Sequence, residues 1–457
     1  MPDFSADDAA FVAQFRAAAP YVHAHRGRTF VIVFGGEAAD SPGFGDLVQD
    51  VALLHALGVR VVLVHGARPQ IERRMREAGL RGRIHRDQRV TDATALPCVK
   101  QAVGALRLEI EAMLSMGLAS TSMAGARLRV ASGNFVTAQP RGVIDGVDMQ
   151  FTGDVRRVDA EGVRRRLDDG AIVLCSPVAP SVTGELFNVG RHAVAEQVAV
   201  AIGADKLIAL VEGAVPGPRA WLGGELAPAQ ARQIAEGSWP EDLPRSRLSA
   251  RRRLPPDVRR HLAVAARACE AGVGRVHLVE RTTHGGLLLE LFTRDGIGTL
   301  VSREAFERLR PATLADVPGI LALTAPLEAQ GVLIRRTRED LEHNVDDFVV
   351  IERDGLVVAC GALHALPDAA AGEIAAVCVH PEYRGARRGE RLMGWLERRA
   401  LERGLTKLFV LTTRTSHFFR RLGYEPAHVR DLPPSRRSRY DRRRNSRVLA
   451  KTLSPSP

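Results

Sequence analysis

The chain has 457 residues, 45% of them apolar and 26% charged, the balance of a globular protein of two or three domains rather than of a disordered chain. No apolar run is long enough to span a bilayer, and the acidic segment Met1 to Ala10 lacks the basic region and apolar core of a leader, so a cytoplasmic location without a membrane partner is expected. Five scattered cysteines (Cys98, Cys175, Cys269, Cys360, Cys378), with no C-x-x-C pair and no histidine cluster at zinc-ligand spacing, predict neither disulfides nor metal.

The formal charge of +11 comes mostly from arginine, concentrated between Arg251 and Arg260 and between Arg436 and Arg447. Tyr440 is the single aromatic within these runs and no nucleic-acid-reading motif accompanies them. They read as solvated surface, with no nucleic-acid partner, and an anionic small substrate suits the charge equally well.

In chain order, "FVAQFRAAAPYVHAHRG" (Phe11 to Gly27) has helical periodicity. "TFVIVFGGE" (Thr29 to Glu37) predicts a strand running into a glycine turn; a helix with Leu47, Val51, Leu54 and Gly58 on one face follows, and then the strand "VRVVLVHGA" (Val59 to Ala67). A β-α-β order of this kind implies a parallel sheet covered on both faces, a three-layer α/β/α domain. Ala171 to Pro177 and Asp205 to Gly213 are further apolar runs without alternation, as buried parallel strands require. Ser302 to Pro311, charged and ending in proline, reads as a connector, which divides the chain into 1–300, a linker at 301–310, and a second domain at 311–457. In that domain "DFVVIERDGLVVACGALHAL" predicts a hairpin turning at Arg353, Asp354 and Gly355. A strand from Glu373 to Val379, a basic turn, a helix with Leu392, Trp395, Leu396 and Ala400 on one face, and a strand from Lys407 to Thr413 complete a mixed α/β unit.

The chemistry concentrates in "EIAAVCVHPEYRGARRGERLMGWLE" (Glu373 to Glu397), a strand leading through a Gly- and Arg-containing turn into an amphipathic helix. Unpaired amides and the positive dipole end at such a turn suit a pyrophosphate. Together with "RPATLADVPGI", the hairpin and "HFFRRLGYEP", this order resembles the GNAT acetyltransferase superfamily from Arg310 to about Lys451. The superfamily signature R/Q-x-x-G-x-G/A falls on Arg384, Gly385, Ala386, Arg387, Arg388 and Gly389, with Arg387 in place of the middle glycine. The resemblance implies acetyl-CoA as cosubstrate, its phosphates on this turn and its pantetheine arm along Val377, Cys378 and Val379. Acetyl transfer to an amine needs a base and an oxyanion donor. Glu373 is the expected base. Phe419 stands where many GNAT enzymes carry a tyrosine acid, so Tyr424 is expected to pack and Thr412 or Thr413 to return the proton. Guanidinium forks match carboxylates, and Arg336 in "VLIRRTRE" and Arg444 in "RRRNSRVL" are the arginines expected to bind the two carboxylates of L-glutamate.

The first 300 residues resemble the amino-acid kinase fold, acetylglutamate kinase in particular, through "FGGE", "VHGA", "GVIDGVDMQFTGDV" and "SPVAPSVTGELFNVG". The departures fall on the phosphate machinery. Val33 replaces the lysine of Lys-x-Gly-Gly, Ala67 and Arg68 replace two glycines, and His192 replaces the organising aspartate, so no kinase activity is expected. A kinase-like domain fused ahead of a GNAT domain resembles the bacterial N-acetylglutamate synthase family over essentially the whole chain. That resemblance implies synthesis of N-acetylglutamate, the entry to arginine biosynthesis, and feedback by L-arginine at Tyr21, His277, Glu290 and the Gly296 loop. It also implies a homo-oligomer, a hexameric ring of kinase-like domains. Three other readings stay open from sequence: acetylation of another amine such as a protein lysine, a regulatory or nucleic-acid-binding protein using its arginine runs, and a residual acetylglutamate kinase.

Overall fold

Valine, isoleucine and phenylalanine fill the first strand, β1 (Thr29–Phe34), and its alternate side chains enter two different cores. The computed structural model describes residues 6–115, 128–215, 217–243, 245–246, 249, 252–303, 307–353, 355–384 and 387–453. Its contacts divide the chain into two units, Met1–Glu304 and Ala305–Pro457. Among the described residues no helix is long and apolar enough to cross a membrane.

The first unit is built on an eight-stranded sheet of β1, β2 (Arg60–His65), β3 (Arg129–Ser132), β4 (Ala171–Cys175), β5 (Lys206–Val211), β6 (Glu225–Leu226), β7 (Arg275–Glu280) and β8 (Thr299–Ser302), in the order β6-β8-β7-β5-β1-β2-β4-β3. Every neighbouring pair is parallel except β7 with β8. Val31, Val33, Val62, Val64 and Val173 join one core, and Phe30, Ile32, Phe34, Val61 and Leu63 the other. Both faces are therefore covered, as a parallel sheet demands. Helices Phe44–Ala56 (α2) and Ala95–Ser115 (α3) close the second core; Arg191–Ile202 (α4) and Pro256–Glu270 (α5) close the first. The N-terminal helix α1 spans Ala6–His25, and α6 (Gly286–Phe292) follows β7. Because β1, β2, β4, β5 and β7 run the same way, Gly35, Gly66, Ser176, Glu212 and Arg281 emerge at one edge of the sheet, where α/β sheets place their ligands.

The second unit holds a seven-stranded sheet of β9 (Glu307–Pro311), β10 (Phe348–Arg353), β11 (Leu356–Leu366), β12 (Ala371–Val379), β13 (Lys407–Thr412), β14 (Glu425–Ala427) and β15 (Arg447–Thr452), in the order β9-β10-β11-β12-β13-β15-β14. Only β12 with β13 is parallel. Residues 307–311, expected within the connector, instead pair with Val349–Arg353 as an edge strand, and Leu309 packs against the core. Helix α7 (Val317–Ala329) covers one face, and α8 (Arg388–Glu402), with Leu392, Met393, Leu396 and Ala400 buried, covers the other.

One irregularity shapes this sheet. Ala376 has φ +53°, and the β11–β12 register shifts between Cys360 and Ala362, the signature of a bulge. Pairing of β12 with β13 stops at Ile374 opposite Val410, so the two strands part beyond it.

Candidate active site

Parallel pairing up to Ile374 carries Glu373 into the sheet beside Phe409 of β13 and opposite His364 of β11. Both carboxylate oxygens of Glu373 accept hydrogen bonds from Arg436, Nε at 2.5 Å and Nη2 at 3.0 Å. The side chains are 14% and 13% exposed, so this fork is shielded from water. A proton delivered to Glu373 must use a lone pair that Arg436 leaves, or follow withdrawal of the guanidinium. Arg436 belongs to an arginine run expected on the solvated surface. The buried carboxylate, 63 residues upstream, draws it in.

Arg336 lies half-buried on the segment after α7, its guanidinium carbon 6.0 Å from the Phe348 ring centre. Its Nη1 donates to Ile334 O at 3.4 Å, and among the described residues no carboxylate pairs with it. Burial pulls this guanidinium below its ordinary value, while Cys360, Glu328 and Glu373 oppose the shift. Arg444, from the loop before β15, donates Nη2 to the carbonyl of Val332, four residues before Arg336. Arg444 is thus tied to the segment that carries Arg336, and Arg336 feels the charge of Glu373.

Thr412 closes β13, 8% exposed, with Oγ1 3.0 Å from Thr415 Oγ1 and accepting from the backbone amides of Arg414 and Thr415. Thr413 is exposed. Tyr424 is buried in the core under Lys451, and burial pushes its phenol up. It packs, as its place beside Phe419 suggests.

Where β12 leaves β13, the backbone from 375 to 379 pairs only with β11 among the described residues. This is the open edge a pantetheine arm would need. Val377 and Val379 are half-buried against one core. Cys378 faces the other, with Sγ donating to Leu323 O, and burial pushes its thiol up to about 11. Gly385 and Ala386 lie outside the described residues. Arg384 is exposed, and Arg387, also exposed, caps α8 at φ +53° and bonds Glu390. Gly389 permits close packing, since a Cβ there would meet Phe418 Cζ at 3.0 Å. Arg388 departs from expectation. Its guanidinium binds Glu307 and Tyr383 O and is 10% exposed, because the equally buried Glu307 carboxylate requires a cation.

In the first unit, His277 of β7 lies 2.6 Å from Glu290 Oε1 through Nδ1, and Glu290 Oε2 accepts from the amides of Ile297 and Gly298. Gly296 has φ +56°, and a Cβ there would meet Glu290 Oε2 at 2.5 Å. Three of the four expected effector residues therefore form one buried knot, with Glu290 as its internal strut. Tyr21 stands on α1, one turn before His25, whose Nε2 meets Leu291 O at 2.8 Å and whose ring packs on Phe30 and Phe292. Sequence reading missed His25; its signal was the spacing of four from Tyr21. At the strand-end edge, Arg191 fills the space beside the former phosphate glycines. A Cβ at Gly66 would meet its Cδ at 2.9 Å and one at Gly35 its Cζ at 3.6 Å. The guanidinium pairs with Asp257.

Comparison with known proteins agrees with this division. Residues 28–213 match the amino acid kinase family and residues 344–426 the acetyltransferase (GNAT) domain. The chain is 49% identical to the amino-acid acetyltransferase of Pseudomonas putida strain KT2440, across 99% of this chain and 100% of the relative. It is also 49% identical to that of Ectopseudomonas mendocina, across 97% and 99%. Among solved structures it is similar to N-acetylglutamate synthase from Neisseria gonorrhoeae complexed with coenzyme A and L-arginine, with 36% identity, a TM-score of 0.85, and coverage of 97% of this chain and 99% of that one. An amino-acid kinase-like unit joined to a GNAT unit, with 49% identity to these relatives over nearly the whole chain, shows that the chain belongs to the amino-acid acetyltransferase family and uses acetyl-CoA as its acetyl donor.

Proposed function

We propose that the chain acetylates the α-amine of L-glutamate, the first step of arginine biosynthesis, and that L-arginine regulates it through the first unit. The observation that carries the substrate assignment is the hydrogen bond from Arg444 to Val332 O, four residues before Arg336, with Arg336 free of any carboxylate among the described residues and within the field of Glu373. A substrate with two carboxylates supplies the anions these forks lack. A solved relative bound to coenzyme A and N-acetyl-glutamate, 37% identical over 97% of this chain, supports the same reading.

Acetyl-CoA supplies an activated acetyl group, and the open edge of β12 and the N-terminus of α8 are the groups that would hold it. Arg336 and Arg444 orient glutamate. Glu373 takes the ammonium proton, once its contact with Arg436 allows, which gives the amine its lone pair. Thr412, its hydroxyl fixed by Thr415 and two backbone amides, relays to the departing thiolate the second proton, which the attacking nitrogen sheds as the amide forms. In the first unit, arginine binding around Tyr21, His277, Glu290 and Gly296 must favour one state of the enzyme over another in order to regulate it. A hexameric homo-oligomer, built through the kinase-like units, completes the proposal.

The test follows CoA release with acetyl-CoA and glutamate, against lysine and polyamine controls. Glutamate-dependent turnover should fall by about 10²- to 10⁴-fold in Glu373→Gln. Equal rates with the control amines would remove glutamate as the substrate. For regulation, initial rates titrated with arginine should respond in the parent chain and respond less in Tyr21→Ala; insensitivity of both rejects the effector site.

A further inference from the structure

At the strand-end edge of the first unit, two histidines and an aspartate converge outside the acetyl-transfer machinery. His192 lies on α4, and Asp257 and His261 lie one turn apart on α5. His192 Nε2 is 3.3 Å from Asp257 Oδ1, His261 Nε2 is 3.9 Å from Asp257 Oδ2, and the imidazole centres are 4.4 Å apart. One ligand atom from each residue falls within 4.8 Å of the other two. His261 is 1% exposed, and among the described residues neither of its ring nitrogens has a hydrogen-bond partner. A buried imidazole with both nitrogens unsatisfied demands an explanation, and here Nε2 faces the carboxylate.

We propose that His192, Asp257 and His261 bind a divalent first-row transition ion, zinc by preference, that clasps α4 to α5. Bonds of about 2.0 Å at tetrahedral angles set ligand atoms roughly 3.3 Å apart. His192 Nε2 already has that spacing to Asp257 Oδ1, whereas His261 Nε2 faces the other oxygen, Oδ2, so drawing one atom of each residue from within 4.8 Å to that spacing takes a contraction of up to about 1.5 Å. Two imidazoles and one carboxylate suit zinc better than calcium or magnesium. Burial lowers both imidazoles below their ordinary value, which favours the neutral form that donates a lone pair. Arg191 and the Glu212 amide bond the same carboxylate and serve as outer-shell donors that fix its orientation. A fourth position is left for water or a small anion.

The experiment uses the full untagged chain, stripped by a chelator and dialysed against zinc. One equivalent should remain bound per chain and raise the melting temperature, and the cobalt-substituted chain should show the intense visible absorption of tetrahedral coordination. His192→Asn and His261→Gln should each lose the equivalent and the cobalt band while keeping the parent circular dichroism. Retention of zinc by both folded variants, or a parent chain that retains none, overturns the proposal. Should the variants unfold, the parent's cobalt spectrum decides: weak octahedral absorption rejects the site.

Discussion

The strand-end edge of the first unit and the β12–β13 fork of the second begin from the same ingredients, a strand, a glycine-bearing turn and a helix N-terminus. They end differently because of what fills them. In the first, the Arg191 side chain lies against Gly35 and Gly66 and pairs with Asp257, so the chain supplies its own counter-charge. In the second, Arg388 is drawn off to Glu307, and beyond Ile374, next to the bulge at Ala376, the β12 backbone has no strand partner on the side of β13 among the described residues. An anion cradle is therefore an opportunity rather than a function, and long-range ion pairs decide which cradle stays open.

The largest expected effect tests the second region. Arg436→Ala strands Glu373 as a shielded unpaired carboxylate, and should cost about 3 kcal/mol in denaturant unfolding; a midpoint unchanged from the parent would place the pair in solvent. Next, Arg444→Ala should raise KM for glutamate by about 10- to 100-fold, the worth of one charge-assisted contact at roughly 1.5–3 kcal/mol. In the first unit, Gly296→Ala puts a Cβ at positive φ against Glu290 and should destabilise by about 1–2 kcal/mol.

A further effect depends on pH. Burial first, and then Lys206, depress His25 from 6.5 to about 4. With α1 docked, His25 binds fewer protons than when released. Docking is thus fully favourable above 6.5 and weakens as pH falls toward 4, by about 1 kcal/mol per pH unit at most. Amide protection factors along α1, corrected for the intrinsic exchange rate at each pH, should fall over that window and stay flat for His25→Phe. The smallest effect is an expected zero. Arg191→Ala empties the cradle, yet ADP release from ATP and N-acetylglutamate should stay at background, because Val33 still lacks the lysine charge.

Both sheets were legible in the sequence because their central strands are unalternating apolar runs. β9 was not, since Glu307–Pro311 carries one apolar side chain and is held by backbone pairing. At the active site, Glu373, Thr412, Arg336 and Arg444 came from family resemblance, and their neighbourhood from the fold. Arg436 was hidden in an arginine run whose average reads as surface. Its partner is 63 residues away, that of Arg388 is 81, and that of His192 is 65. Local pattern reports periodicity and turn chemistry, while pairs of this separation exist only once the chain has folded.

The bulge at Ala376 also bears on how this enzyme tolerates mutation. A main-chain edge recognises its ligand through amides and carbonyls that every residue but proline supplies in full. On the proposed binding mode, side-chain changes at 375, 377 and 379 that keep the core packing of Val377 and Val379 leave this edge intact, whereas a proline there would remove an amide from it.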